Sequence, residues 1–150
     1  MSSTSVTPSS DNRRWAVDTS VAIAYLDAGH SAHQACVTAL TGRPAALAGH
    51  AAFESYSVLT RLPDPVRVLT TDAQRALSAA FPERCWLSPQ AQDELLARLA
   101  GIGIAGGAVY DALVGEAARL DGRVLLTRDH RARPTYDLLG VSYELVGFTR

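Results

Sequence analysis

The chain has 150 residues, 47% of them hydrophobic, which is enough for one domain with a buried core. Its net charge of −1 comes from 14 basic and 15 acidic residues, so charge neither demands nor excludes a nucleic-acid partner. No stretch approaches the roughly 20 apolar residues of a membrane span, and the N-terminus shows no signal peptide. We therefore expect a cytoplasmic protein without membrane contact. Every basic residue is Arg, the side chain best suited to bidentate phosphate contacts.

The N-terminal segment differs in composition from the rest of the chain. Residues 1–12 are rich in Ser and Thr, so we expect a flexible N-terminal extension followed by one folded domain over residues 13–150. Cys36 and Cys85 are too few and too far apart for a metal knuckle. Without an export signal, we expect both to be reduced, packed thiols.

The rest of the chain alternates short apolar runs with helical patterns. The predicted strands span residues 15–17, 45–48, 85–87, 123–127 and 141–145. The predicted helices span residues 21–26, 31–40, 53–62, 71–81, 89–100, 108–120 and 135–139, with a glycine-rich turn at 101–107. This alternation predicts an α/β domain with a mainly parallel sheet of four to five strands flanked by helices.

Four carboxylates are predicted to meet at one edge of this sheet. Asp18 and Asp129 close two apolar strands, whereas Glu54 and Asp111 lie in the first turns of helices. The carboxyl ends of parallel strands and the N-termini of the following helices share an edge, where open α/β sheets bind ligands. Each acid alone has an ordinary alternative, as a helix cap, a dipole-favourable acid or a turn residue. Their coincidence favours a shared site.

Such a cluster needs a counter-charge. Two unit charges about 4 Å apart repel by roughly 4 kcal/mol at an effective dielectric constant of 20. The site must therefore bind protons, Arg side chains or a divalent cation. An all-oxygen set without His or Cys favours Mg²⁺, with Mn²⁺ as an alternative, over zinc. Metal sites of this kind typically activate water and stabilise the leaving oxygen in phosphodiester cleavage.

The residues around the acids fit this use. Arg61 lies two turns after Glu54, and Arg128 and Arg131 flank Asp129, so these arginines are candidate substrate contacts, with solvated surface as the alternative.

The helix that carries Asp111 is predicted to leave space above this acid. Gly115, four residues later, is expected to keep that helix face open, while Val109, Leu113 and Leu120 are expected to face the core from another side.

Four segments together resemble a known family. They are Val17-Asp18-Thr19-Ser20, Phe53-Glu54, Val109-Tyr110-Asp111-Ala112-Leu113 and Leu126-Thr127-Arg128-Asp129. In this order they resemble the PIN domain and, more narrowly, the VapC-type toxin ribonucleases of VapBC toxin–antitoxin modules. The resemblance spans residues 13–145 and implies a three-layer α/β/α fold. It also implies a catalytic metal site formed by Asp18, Glu54, Asp111 and Asp129, with Ser20 and Thr127 as hydrogen-bonding supports.

The resemblance further implies an activity and partners. The activity is Mg²⁺-dependent cleavage of single-stranded or structured RNA by metal-activated water. The partners are a VapB-type antitoxin whose C-terminal segment blocks the groove and a second copy of the chain, giving a homodimer and, with antitoxin, a heterotetramer or larger assembly. A catalytically silent PIN-like domain that only binds RNA or a protein is the alternative, and the presence of all four acids disfavours it.

Two other classes of protein fit less well. Gly101, Gly103 and Gly106 satisfy the G-x-G-x-x-G pattern of dinucleotide-binding folds, but they follow a predicted helix where that fingerprint should follow a strand. Receiver and phosphoryl-transfer domains also place acids at strand ends, but they need a Lys near the phosphate, or Arg in some of the phosphatases, and this chain contains no Lys. The phosphatase type also needs an Asp two residues after the first one, where this chain has Ser20.

Overall fold

The structure, a computed structural model, describes residues 12–147. The predicted flexible extension falls on residues 1–12, and residues 1–11 of it lie outside the described residues. Between residues 12 and 147, no helix is both long enough and apolar enough to cross a membrane.

A parallel sheet of five strands forms the centre of the domain. The strands are β1 (Arg14–Val17), β2 (Ala45–Ala48), β3 (Arg84–Cys85), β4 (Arg123–Thr127) and β5 (Tyr143–Leu145). Their spatial order is β3-β2-β1-β4-β5, and each neighbouring pair is parallel. The side chains of the central strands β1 and β4 are mostly buried, as expected where helices cover both faces of a parallel sheet.

Within the described residues, seven α-helices flank this sheet. They are α1 (Thr19–Leu26), α2 (His33–Leu40), α3 (Ala51–Thr60), α4 (Thr70–Ala80), α5 (Pro89–Ile102), α6 (Ala108–Leu120) and α7 (Arg133–Leu139). Helices α1 to α4 pack mainly on one another, as do α5 to α7, and both groups contact the sheet. The predicted α/β fold with three layers and a parallel sheet is therefore confirmed.

Several predicted boundaries were wrong by a few residues. Strand β3 ends at Cys85, the last residue that pairs with β2, and the side chain of the next residue, Trp86, is exposed. Helix α5 continues through Gly101 to Ile102 and is capped by Gly103, whose positive φ of 75° stops the helix. The glycine turn is therefore shorter than predicted. Strand β5 covers only the second half of the predicted segment 141–145.

The hydrophobic core lies between the sheet and the helices. Its largest fully buried side chains include Tyr136, Phe81 and Leu47. Cys36 and Cys85 are buried free thiols, in agreement with the prediction. Since the central strands are fixed by burial on both faces, the residues that directly follow them have well-defined positions at one edge.

Candidate active site

Asp18 lies at the centre of the carboxyl edge of the sheet. Strands β1 and β4 pair in parallel up to Val17 and Leu126, so Asp18 and Thr127 follow side by side. The hydroxyl of Thr127 donates a hydrogen bond to Oδ2 of Asp18. Only 5% of the Asp18 surface is exposed, so this carboxylate is held inside the protein rather than on its surface.

Two further hydrogen bonds hold the other oxygen of Asp18. The Ser20 hydroxyl donates to Oδ1 at 2.6 Å, and the backbone N–H of Val21 donates to the same atom at 3.1 Å. The second bond is also the N-cap of α1, so the acid that begins the helix is the acid at the centre of the site. The functional and the capping interpretations of Asp18 are therefore compatible.

The two supporting hydroxyls also bind the backbone after β4. Oγ of Ser20 accepts the N–H of Arg128 at 2.8 Å, and Oγ1 of Thr127 accepts the N–H of Asp129 at 3.0 Å. Each hydroxyl thus donates to Asp18 and accepts from the segment that carries Asp129. This arrangement fixes the two acids relative to each other.

The structure brings the other three acids to the same edge. Glu54 lies in the first turn of α3, Asp111 in the first turn of α6, and Asp129 two residues after the end of β4. Oδ1 of Asp129 accepts the backbone N–H of Arg131 at 2.9 Å.

Burial and the charges of neighbouring acids raise the pKa values of three carboxyl groups in this site. Burial, and then the charges of Asp129, Glu54 and Asp18, raise the pKa of Asp111 to about 6. Burial is also the main cause that raises the pKa of Asp18, against the opposing hydrogen bonds from Ser20 and Thr127. The pKa of Glu54 is raised by burial too, although the neighbouring His50 opposes this shift. The four acids therefore form one electrostatic cluster.

The donor chemistry of this cluster suits a hard divalent cation. All four side chains offer carboxylate oxygens, the ligands that Mg²⁺ and Mn²⁺ prefer. Over residues 12–147, no three His, Cys, Asp or Glu side chains stand close enough together to form a ready-made metal cage. The residues fit the cation by charge and ligand type, and a bound cation would remove the repulsion that raises the pKa of Asp111.

The three predicted substrate arginines lie in different environments. Arg61 is exposed at the C-terminal end of α3 and lines a cleft together with Glu54. Arg131 is exposed beside Asp129. The side chain of Arg128 is half-buried and packs beside Gly147, where an added methyl group would lie 3.5 Å from Nε of this arginine.

The expectation that Gly115 leaves an open face was wrong. A methyl group on Gly115 would lie 2.9 Å from Cδ1 of Tyr136 and 3.0 Å from Cγ2 of Val141. Gly115 is therefore needed for close packing of α6 against α7. Leu120 was also placed wrongly, since it is 53% exposed, whereas Val109 and Leu113 do pack against the core.

The sequence interpretation missed Tyr136. Its side chain is 1% exposed, and its hydroxyl donates to Oδ2 of Asp18 at 3.4 Å. Burial and the surrounding acids raise the pKa of this hydroxyl, so it stays protonated and able to donate. An aromatic residue in a short helix normally indicates core packing, and nothing in the local sequence distinguishes this tyrosine.

Comparison with known proteins agrees with this geometry. Residues 16–138 match the PIN domain family. The chain belongs to the PIN domain family. Among curated relatives of this PIN domain, Ribonuclease VapC27 of Mycobacterium tuberculosis is 50% identical over 126 residues, which cover 84% of this chain and 92% of that protein. Ribonuclease VapC40 of the same organism is 46% identical over 133 residues, covering 87% of this chain and 98% of that protein.

A solved structure shares the fold of this PIN domain. It is the crystal structure of VapBC2 from Rickettsia felis bound to a DNA fragment from their promoter, with a TM-score of 0.61. The similarity covers 87% of this chain and 97% of that chain at 14% sequence identity. The prediction of a PIN domain of the VapC type is therefore confirmed.

Proposed function

We propose that this PIN domain is the toxin of a VapBC toxin–antitoxin module and a Mg²⁺-dependent endoribonuclease, with Mn²⁺ as an alternative cation. The observation that carries the proposal is the cluster of four carboxylates, in which burial and then the charges of Asp129, Glu54 and Asp18 raise the pKa of Asp111 to about 6. Curated relatives named ribonucleases, at 50% and 46% identity over most of the chain, support the reaction class. The domain that carries this activity is proposed to span residues 13–150, after an extension of residues 1–12.

The proposed ligands and catalytic residues are the four acids. They are Asp18, Glu54, Asp111 and Asp129. When bound, a divalent cation supplies a Lewis acid that lowers the pKa of water and balances charge on the cleaved phosphate. The half-buried hydroxyl of Ser20 and the buried hydroxyl of Thr127 orient Asp18 through the hydrogen bonds described above. A carboxylate that is already oriented loses little entropy when it binds its ligand.

The proposed contacts to the RNA backbone are arginines. Arg61 lines the cleft beside Glu54, and Arg131 is exposed next to Asp129, which supports the proposal that both contact phosphates of the RNA. Arg128 is the weakest of the three candidates because its half-buried side chain packs beside Gly147.

The proposed partners follow from the same family. They are a VapB-type antitoxin that covers the active-site groove, and a second copy of this chain, so that toxin and antitoxin form a heterotetramer or a larger assembly in the cytoplasm.

The competing function is a catalytically silent PIN domain that binds RNA or protein. The proposal of an enzyme is preferred because Asp18 is buried, accepts hydrogen bonds from four donors and interacts electrostatically with the other three acids.

The direct test replaces one acid. Asp111→Asn keeps the shape of the side chain but removes one charge from the cluster, so Mg²⁺-dependent cleavage of RNA should fall by at least about 100-fold. Asp93→Asn is the matched control because Asp93 is exposed on α5, away from the cleft. Cleavage by the Asp111 variant at the rate of the control would show that Asp111 is only an acid at a helix start.

The chemistry of the cut provides a second test. Attack by water on the phosphorus, with the bond to the 3′-oxygen breaking, leaves a 5′-phosphate and a 3′-hydroxyl, and it does not use the 2′-hydroxyl of the RNA. Products should therefore carry these ends, and a deoxynucleotide placed at the cut should still allow cleavage. A product with a 2′,3′-cyclic phosphate would contradict the proposed reaction.

A further inference from the structure

A cleft of about 550 Å³ opens beside the acidic cluster. It lies along the outer side of α3 and reaches the start of α6. Glu54 belongs both to the cleft wall and to the cluster, because its charge contributes to the raised pKa of Asp111. Whatever occupies this cleft is therefore adjacent to the proposed site of cleavage.

The walls of the cleft carry aromatic rings that face solvent. The rings of His50 and Tyr110 stack with centroids 5.2 Å apart and an interplanar angle of 19°. Tyr110 is 53% exposed and Phe53 is 65% exposed. These two rings directly precede Asp111 and Glu54 in the sequence, so the backbone fixes each ring beside an acid. Exposed rings in such a position offer flat surfaces next to the reacting phosphate.

The far end of the cleft is positively charged. Arg61 lines it and is exposed, and in the part of the chain that the structure describes no carboxylate forms an ion pair with this guanidinium. An aromatic surface combined with an arginine is the usual arrangement by which proteins hold unpaired nucleotides, since the ring stacks on a base and the guanidinium binds a phosphate.

We propose that this cleft binds one unpaired nucleobase of the RNA substrate immediately beside the cut phosphate. The base stacks on Tyr110, and Arg61 contacts the next phosphate along the strand. This inference rests on the proposed ribonuclease function and adds to it a base-binding residue, Tyr110. A base-paired duplex cannot supply such a base, because its bases are stacked inside the helix. Such a base comes from a single-stranded segment or a loop, in agreement with the single-stranded or structured RNA that the family resemblance implies.

A purely apolar protein segment fits the cleft less well than a base. An apolar side chain placed there would cover Glu54, Ser57 and Arg61, and polar groups that are buried without new hydrogen bonds oppose binding. A nucleotide brings both a flat apolar ring and an anionic phosphate, which match Tyr110 and Arg61 respectively.

The stacking contact is tested by binding without cleavage. The Kd of the full chain for a fluorescently labelled pool of random single-stranded RNA about 12 nucleotides long is measured in EDTA by anisotropy. Tyr110→Ala should weaken this Kd roughly tenfold, whereas Tyr110→Phe, which keeps the ring, should not. Leu96→Ala is the control, since Leu96 is an exposed apolar residue on α5 outside the cleft. Duplex RNA of the same length should compete poorly.

The phosphate contact is tested by salt. Arg61→Gln should reduce the slope of log K against log salt concentration by about 0.7, the loss of one phosphate contact to a single strand. Arg75→Gln on α4, which removes an exposed arginine outside the cleft, should leave the slope unchanged.

The outcomes separate this inference from the proposed function. If the wild type cleaves RNA but Tyr110→Ala binds the pool as tightly as Leu96→Ala, the base-binding cleft is wrong and the ribonuclease stands. If binding depends on Tyr110 but the wild type never cleaves, the ribonuclease is wrong and the base-binding cleft stands. If Tyr110→Ala loses only a protein partner and keeps its RNA affinity, the cleft is a protein docking site and the inference is overturned.

Discussion

The hydroxyl of Thr127 donates a hydrogen bond to Oδ2 of Asp18 and joins the two central strands at the edge where both end. The same hydroxyl oxygen accepts the backbone N–H of Asp129 at 3.0 Å. One side chain thus connects the carboxylate of one proposed metal ligand to the backbone of another. Because Thr127 is fully buried, water cannot replace these bonds if they are lost.

Removing the hydroxyl of Thr127 should destabilise the folded protein. Thr127→Val keeps the shape of the side chain but leaves the N–H of Asp129 without its partner and Oδ2 of Asp18 with only the 3.4 Å bond from Tyr136, so the free energy of unfolding should fall by about 1–3 kcal/mol. Thr127→Ser is the matched control, because it keeps the hydroxyl and loses only a methyl group worth about 1 kcal/mol. Urea denaturation in EDTA measures both. Equal stability of the Val variant and the wild type would show that the two hydrogen bonds contribute nothing.

The same pair of variants separates stability from metal binding. A residue that orients a ligand typically contributes 10–100-fold to metal affinity, so Thr127→Val should bind Mg²⁺ roughly that much more weakly. The Ser variant should retain the affinity of the wild type. The affinity is measured by calorimetry at a temperature at which all three proteins are folded.

The sequence predicts those parts of the site that depend only on residues close together in the chain. Asp18 and Asp129 each follow an apolar run, and only a buried strand accounts for such runs in an α/β chain. The placement of Glu54 and Asp111 follows from the position of each in the first turn of a helix at the same edge. These four positions needed no knowledge of long-range packing.

The contacts that were missed depend on side chains far apart in the sequence. Gly115 and Tyr136 touch because α6 packs on α7, and no local pattern specifies which face of a short helix meets a given glycine. Glu116 is another example, since an acid within a helix normally faces solvent. Here it is buried between Arg98, at 2.7 Å, and Arg119, at 2.5 Å.

The close packing at Gly115 leads to a second prediction. Gly115→Ala would place a methyl group 2.9 Å from Cδ1 of Tyr136, so the ring must shift. Overpacking of this kind costs about 1–3 kcal/mol, more than the roughly 1 kcal/mol gained from better helix propensity. The variant should therefore be less stable, with a lower Tm. Its cleavage rate should also fall because Tyr136 donates to Asp18.

Gly101→Ala is the control for this prediction. Gly101 also lies within a helix, but an added methyl group meets nothing within 4 Å there. That variant should be as stable as the wild type or more stable by up to about 1 kcal/mol. If the two alanine variants show the same change in Tm, the contact between Gly115 and Tyr136 does not limit the packing.

A third prediction concerns stability and pH in the absence of metal. The pKa of Asp111 is about 6 in the folded protein, against 3.8 as the ordinary value. Between these values the folded state holds a proton that the unfolded state has released, so the contribution of Asp111 to stability is present below pH 4 and is lost as the pH rises through 6. Asp18 and Glu54, whose pKa values are also raised, act in the same direction.

This contribution is isolated by comparison with Asp111→Asn, which cannot ionise at that position. In EDTA, the free energy of unfolding of this variant relative to the wild type should increase between about pH 4 and about pH 7 and then level off. For the exposed control, Asp93→Asn, the same difference should not change over this range. A constant difference for Asp111→Asn would mean that Asp111 is not in an acidic cluster.

The last prediction combines metal and pH. A cation that binds only the folded protein, at about 100 times its Kd, adds about 2.7 kcal/mol, which corresponds to a rise in Tm of roughly 5–10 °C for a chain of this size. Such a rise is expected with MgCl₂ near pH 7.5, where Asp111 is ionised. Near pH 5 a proton competes for this carboxylate, so the affinity should drop about tenfold and the rise in Tm should shrink by a few degrees.

Asp111→Asn should show only a small rise at both pH values, and NaCl of equal ionic strength should not reproduce the effect in the wild type. An equal rise with NaCl, or one that does not depend on pH, would show that Mg²⁺ acts on the general surface charge and not at these four acids.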